Sequence, residues 1–134
     1  MKQKAYITIS CSHLAVLVAL VTPIIRVTGV GGAEESTFYT NIFNYVSINM
    51  NALSTVIMLI LIAVHFVGIA NAAYGIIKKN YNHFSINMTF LCGFASALMG
   101  ALFLYSKSYM LFTICALSFL IVSFCSIKLI KSEG

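Results

Sequence analysis

The sequence predicts an all-α membrane protein, a four-transmembrane-helix up-down bundle with an outer amphipathic segment. Three observations carry this prediction. The 134 residues are 60% hydrophobic and only 8% charged, whereas a soluble domain carries about 25% charged residues. Four apolar runs are each about 20 residues long, the length at which a helix rising about 1.5 Å per residue crosses the hydrocarbon core. The cations flank these runs instead of interrupting them.

The runs cover residues 5–27, 53–77, 86–105 and 109–127, with an outer loop over residues 28–52, and together they make one membrane domain over residues 1–134. No Asp, Glu, Lys or Arg lies inside the second, third or fourth run. Arg26 falls at the end of the first, where a long side chain can snorkel to the interface. Backbone groups in lipid must pair within their own segment, so each run is expected to be helical. Period-two alternation, the mark of a membrane barrel, is absent from the runs. The two later connections are short, which makes sequential helices antiparallel neighbours.

Positive charge sets the expected orientation. Lys2, Lys4, Lys78, Lys79, Lys128 and Lys131 fall on one side of a four-span arrangement, and Arg26 and Lys107 on the other. The positive-inside rule puts both termini in the cytoplasm and the loop of residues 28–52 outside. The basic residues 1–4 and the following apolar stretch resemble a secretory signal. The stretch is long for one and contains Pro23 and Arg26, so it is expected to stay as a span. The frequent Asn, Ile, Lys, Ser and Tyr fit an AT-rich genome and a microbial plasma membrane.

Within the outer loop, Thr28-Gly29-Val30-Gly31-Gly32-Ala33 reads as flexible by composition. Beyond it, Tyr39, Ile42, Phe43, Val46 and Met50 recur at helical spacing, with Asn41, Asn44 and Ser47 on the other face. This predicts an amphipathic helix at the outer interface. Aromatic residues at both ends of the spans form the expected anchoring belts.

Polar side chains inside a span are the default functional candidates in a membrane protein. Here they are His13, His65 and Asn71. Counted from Lys4 and Lys78, the histidines lie about 13 and 20 Å deep at 1.5 Å per residue. A haem needs two such ligands face to face at similar depth, so no cofactor is expected. Each histidine is expected instead to hydrogen-bond a neighbouring helix. Asn87-Met88-Thr89 matches a glycosylation sequon by chance, on the inner side. Cys11, Cys92, Cys115 and Cys125 form no C-x-x-C pair and read as small apolar side chains.

Small residues recur four apart: Gly68 with Ala72, Gly93 with Ala97, and Ser96 with Gly100. Such rows let helix backbones approach closely. They predict contact between the second and third spans, or an interface with another membrane protein or a second copy.

Several chemistries are excluded. There is no phosphate-binding glycine loop, no G-x-S-x-G and no H-E-x-x-H. Asp is absent altogether, and no carboxylate pair lies within the membrane for acid–base work. The cations are scattered singly or in pairs, so nucleic acid is not an expected partner. The expectation is a non-enzymatic accessory or structural subunit, held in the lipid bilayer and packed against a larger membrane protein. The alternatives are a holin-like pore, a small transporter or immunity protein binding a peptide or lipid at the outer loop, and a haem-carrying subunit.

Overall fold

Pro23 decides where the first helix stops. Its ring removes an amide donor and disfavours a helical residue before it. Thr22 is accordingly extended, at φ −84° and ψ 149°. In the computed structural model, which describes residues 1–30, 35–49, 51–79 and 82–132, α1 therefore covers Lys2–Val21 and does not run on to residue 27. The chain beyond it forms a hairpin of β1 (Ile25–Val30) and β2 (Glu35–Thr40). The strands are antiparallel, with Ile25 opposite Thr40, Arg26 opposite Tyr39 and Val27 opposite Phe38.

This hairpin corrects the expectation of a flexible segment from Thr28, part of which (residues 31–34) lies outside the described residues. Ile25 and Val27 are buried while Arg26 between them is half-buried, the alternation of a one-faced strand. The amphipathic helix is real but shorter than expected. It is α2, Ile42–Asn49, so Tyr39 belongs to β2, and Met50 lies outside the described residues. Its inward residues are Ile42, which is buried, and Tyr45 and Val46, which pack against the core. Phe43 points away.

Asparagines start three of the helices. The side chain of Asn41 accepts from the amide of Asn44 at 3.2 Å, Asn51 from Ser54 at 2.8 Å and Asn82 from Ser85 at 2.9 Å. Each satisfies one of the amides that a helix start leaves unpaired. α3 covers Ala52–Lys78, α4 His83–Tyr105 and α5 Tyr109–Lys131. Lys79 ends α3 in the left-handed conformation at φ 49°.

The four long helices close into a ring. α1 packs on α3, α3 on α4, α4 on α5 and α5 back on α1. Both termini and the α3–α4 connection lie at one end, here the terminal end. The hairpin, α2 and the α4–α5 turn lie at the other, the hairpin end. The amide of Arg26 donates to Ser108 Oγ at 2.9 Å, which ties β1 to that turn.

The polarity of the molecule is inverted relative to a soluble domain. Leu59, Phe66, Leu91, Leu98, Leu120 and Phe124 are more than half exposed, while Ser12, His13, His65, Thr89, Ser96 and Ser118 are buried. Water would penalise so large an apolar surface; lipid accepts it and leaves polar groups to pair inside. All four long helices are long and apolar enough to cross a membrane. The chain is an integral membrane protein.

Candidate functional site

The apolar core is divided. One cluster at the hairpin end includes Val16, Leu61, Met99 and Cys115. A second at the terminal end includes Ile9, Ala72, Ile86 and Val122. Between them lies a layer of Ser12 and His13 from α1, His65 from α3, Ser96 from α4 and Ser118 from α5, all buried. Every long helix contributes to it.

Gly68 allows this layer to form. A Cβ at that position would stand 2.7 Å from Nε2 and 2.8 Å from Cδ2 of His13, closer than real side chains approach. The His13 ring therefore lies directly on the α3 backbone. It also meets the His65 ring edge-on, with centroids 5.2 Å apart and planes at 83°. Both ring nitrogens of His13 are buried without a hydrogen-bond partner among the described residues.

His65 is fully engaged. Its Nδ1 lies 2.7 Å from the carbonyl of Leu61 and its Nε2 3.0 Å from Ser96 Oγ. Ser96 Oγ lies 3.3 Å from Ser118 Oγ, and Ser118 Oγ 3.3 Å from the carbonyl of Ser12. A carbonyl only accepts, so Nδ1 carries the ring proton that faces Leu61. In a neutral ring Nε2 then accepts from Ser96, while Ser118 donates to the Ser12 carbonyl. Three protons serve four contacts, and the Ser96–Ser118 contact is the one left without a proton. Only a ring protonated on both nitrogens would fill all four contacts, and that would place a charge in an apolar interior.

A second polar group lies nearer the terminal end. Tyr6 Oη and Ser85 Oγ are 3.0 Å apart, and Ser85 Oγ donates to Asn71 Oδ1 at 3.2 Å. Asn71 Nδ2 donates to the Ser85 carbonyl at 3.0 Å and to Thr89 Oγ1 at 3.1 Å. Asn71 thus joins α3 to α4 through three bonds at one side-chain amide, while Tyr6 brings in α1.

The structure brings His13 and His65 together, although counting from the flanking lysines set them at different depths. The register explains the difference. Gly75 receives the Tyr6 ring and Gly68 receives His13, which fixes how far α1 slides along α3. Because the two rings touch, a flat macrocycle could stand between them only if α1 left α3. No group of three or more His, Cys, Asp or Glu residues comes together among the described residues. What the layer offers is imidazole and hydroxyl groups, able to hold or pass a proton and to fix helix register.

The small-residue rows act inside the chain. Gly68 and Gly75 face α1, and Gly93 and Gly100 face Val122 and Cys115 of α5. The second and third spans were expected to meet through these rows; the glycines instead receive α1 and α5, while Ser96 of the third-span row does meet the second span at His65. Ala72 is fully buried and Ala97 partly so. Ser12, Ser118 and Tyr6 were not singled out in the sequence. A serine inside an apolar run carries little signal on its own, since it can also bond its own helix, as Ser12 does to the Thr8 carbonyl at 2.9 Å.

At the hairpin end, Phe38, Tyr39 and Phe43 are exposed while Ile25 and Ile42 beside them are buried in the core. The hairpin and α2 thus combine residues anchored in the core with exposed aromatic side chains. No family model, curated protein or solved structure matches the chain.

Proposed function

We propose that the chain is a non-enzymatic accessory or structural subunit that binds a larger membrane protein, and that it does so at the hairpin end. The observation that carries this reading is the group of exposed aromatic side chains, Phe38, Tyr39 and Phe43, on the hairpin and α2. Its base is anchored by Ile25, Ile42 and the Arg26–Ser108 hydrogen bond. Aromatic side chains on a rigid base bind at low entropic cost. The glycine faces are occupied within the chain, which leaves this end as the most developed contact surface.

The test is native mass spectrometry of the protein extracted gently from its own membrane at natural abundance. A defined complex with another membrane protein is expected. The paired substitution Tyr39→Ser and Phe43→Ser should dissolve it and leave the bundle folded. A lone monomer, or a complex indifferent to the substitution, would count against the reading.

A second reading is capture of an acidic peptide or headgroup at the same end. A groove of about 360 Å³ lined by Arg26, Tyr39, Lys107 and Tyr109 supports it. Replacing Arg26 and Lys107 by Gln would abolish such capture without dissolving a protein complex. A pore within one chain is disfavoured, since His13, His65, Met58, Met99 and Ser96 fill the bundle axis with no exposed surface.

A further inference from the structure

The α1–α5 seam opens toward lipid along much of its length. At the terminal end it begins as a groove of about 260 Å³ lined by Lys2, Lys4, Thr8, Phe124 and Lys128, among others. It continues as a second groove of about 370 Å³ past Thr8, Cys11, Ala15, Leu117 and Ile121. Thr8 lines both grooves, which places them end to end along the seam. Short side chains on α1, from Ala5 through Thr8 and Cys11 to Ala15, keep it open, and long apolar side chains of α5 wall it. From Lys4 to Ala15 it runs about 16 Å along the helix, close to half of the roughly 30 Å hydrocarbon core.

We infer that this crevice binds one anionic phospholipid, its phosphate between Lys4 and Lys128 and one acyl chain along the seam past Thr8. The mouth is cationic and the described residues lining it include no carboxylate. The Lys128 ammonium is held 4.4 Å above the Phe124 ring, which positions it at the groove. Below the mouth the walls are apolar or hydroxyl-bearing, and the crevice is as long as one leaflet. A small free anion would use the mouth and leave the seam empty. An extended protein segment would need backbone partners that the seam lacks. A phospholipid uses both parts.

The experiment is native mass spectrometry of the full chain from mixed micelles containing phosphatidylglycerol and phosphatidylcholine with identical acyl chains. One phosphatidylglycerol is expected to stay bound in preference to phosphatidylcholine. Lys4→Gln and Lys128→Gln should each weaken it about fivefold, the effect of one lysine at an anionic membrane surface. Thr8→Phe, which plugs the crevice at an exposed position and leaves every lysine in place, should reduce retention as well. Ala15→Phe provides a second plug should the first disturb the helix, as read by circular dichroism. Soluble glycerol phosphate should not displace the lipid. Equal retention of the two lipids, unchanged retention in the lysine variants, unchanged retention in a folded plug variant, or displacement by glycerol phosphate would each overturn the site.

Discussion

His13 can lie against α3 only because residue 68 has no side chain. Two predictions follow from that contact. Gly68→Ala should lower stability in lipid by about 1–3 kcal/mol, the usual effect of overpacking a filled site, although alanine is the better helix former by about 1 kcal/mol. In a His13→Ala background the same change should be neutral or stabilising, because the ring it collides with is gone. Reversible unfolding in bicelles measures both, and equal losses in the two backgrounds would place the cost elsewhere. Ser96→Ala removes the partner of His65 Nε2 and should cost about 0.6–1.7 kcal/mol, the range for hydrogen bonds between membrane helices. The sequence marks His13, His65 and Gly68 as unusual, each for its own reason. It does not reveal that they meet, since depth counted from flanking lysines ignores how the helices slide. That slide is set by pairing Tyr6 with Gly75 and His13 with Gly68, a fact of packing.

Among the elements, the helices were legible and the hairpin was not. α3, α4 and α5 begin within three residues of their apolar runs because asparagine caps or a short turn precede them. α1 stops early at Pro23, a signal present in the sequence but outweighed by the apolar residues that continue to Val27. Those residues alternate as a strand, and Gly31-Gly32 stands between two β-prone runs, a recognised hairpin signal. The helical spacing from Tyr39 obscured it, and the true helix starts only after Asn41. If Ser108 pins the hairpin as described, Ser108→Ala should speed hydrogen exchange at the Arg26 amide while exchange in the α1 and α5 interiors stays unchanged. An Arg26 amide that is equally protected in the variant would contradict the pin. Asn82→Ala should cost about 1 kcal/mol through loss of the α4 cap, measured by the same unfolding assay.

Over the whole molecule, composition determined the solvent and the connections determined the ring of helices. Polar groups inside and apolar groups outside then follow from one requirement, that lipid satisfies no hydrogen bond. In the buried layer, His65, Ser96, Ser118 and Ser12 meet it by joining helices to one another. His13 is the exception, with both ring nitrogens unpartnered among the described residues. The layer divides the apolar core into two clusters. Function was less legible, because the surfaces proposed to bind partners at the hairpin end and lipid along the α1–α5 seam depend on which side chains the packed bundle leaves outward. The arrangement of the spans underlies every one of these statements, and cysteine labelling in intact cells tests it most directly. In a background without the four native cysteines, Thr37→Cys and Lys107→Cys sit at the hairpin end, and Lys79→Cys and Ser132→Cys at the terminal end. With a membrane-impermeant maleimide, the first two are expected to react from outside. The other two are expected to react only after the membrane is opened, as the positive-inside rule requires. Exchange of the two pairs would reverse the orientation alone, whereas a pair split between the two faces would contradict the four-span bundle itself.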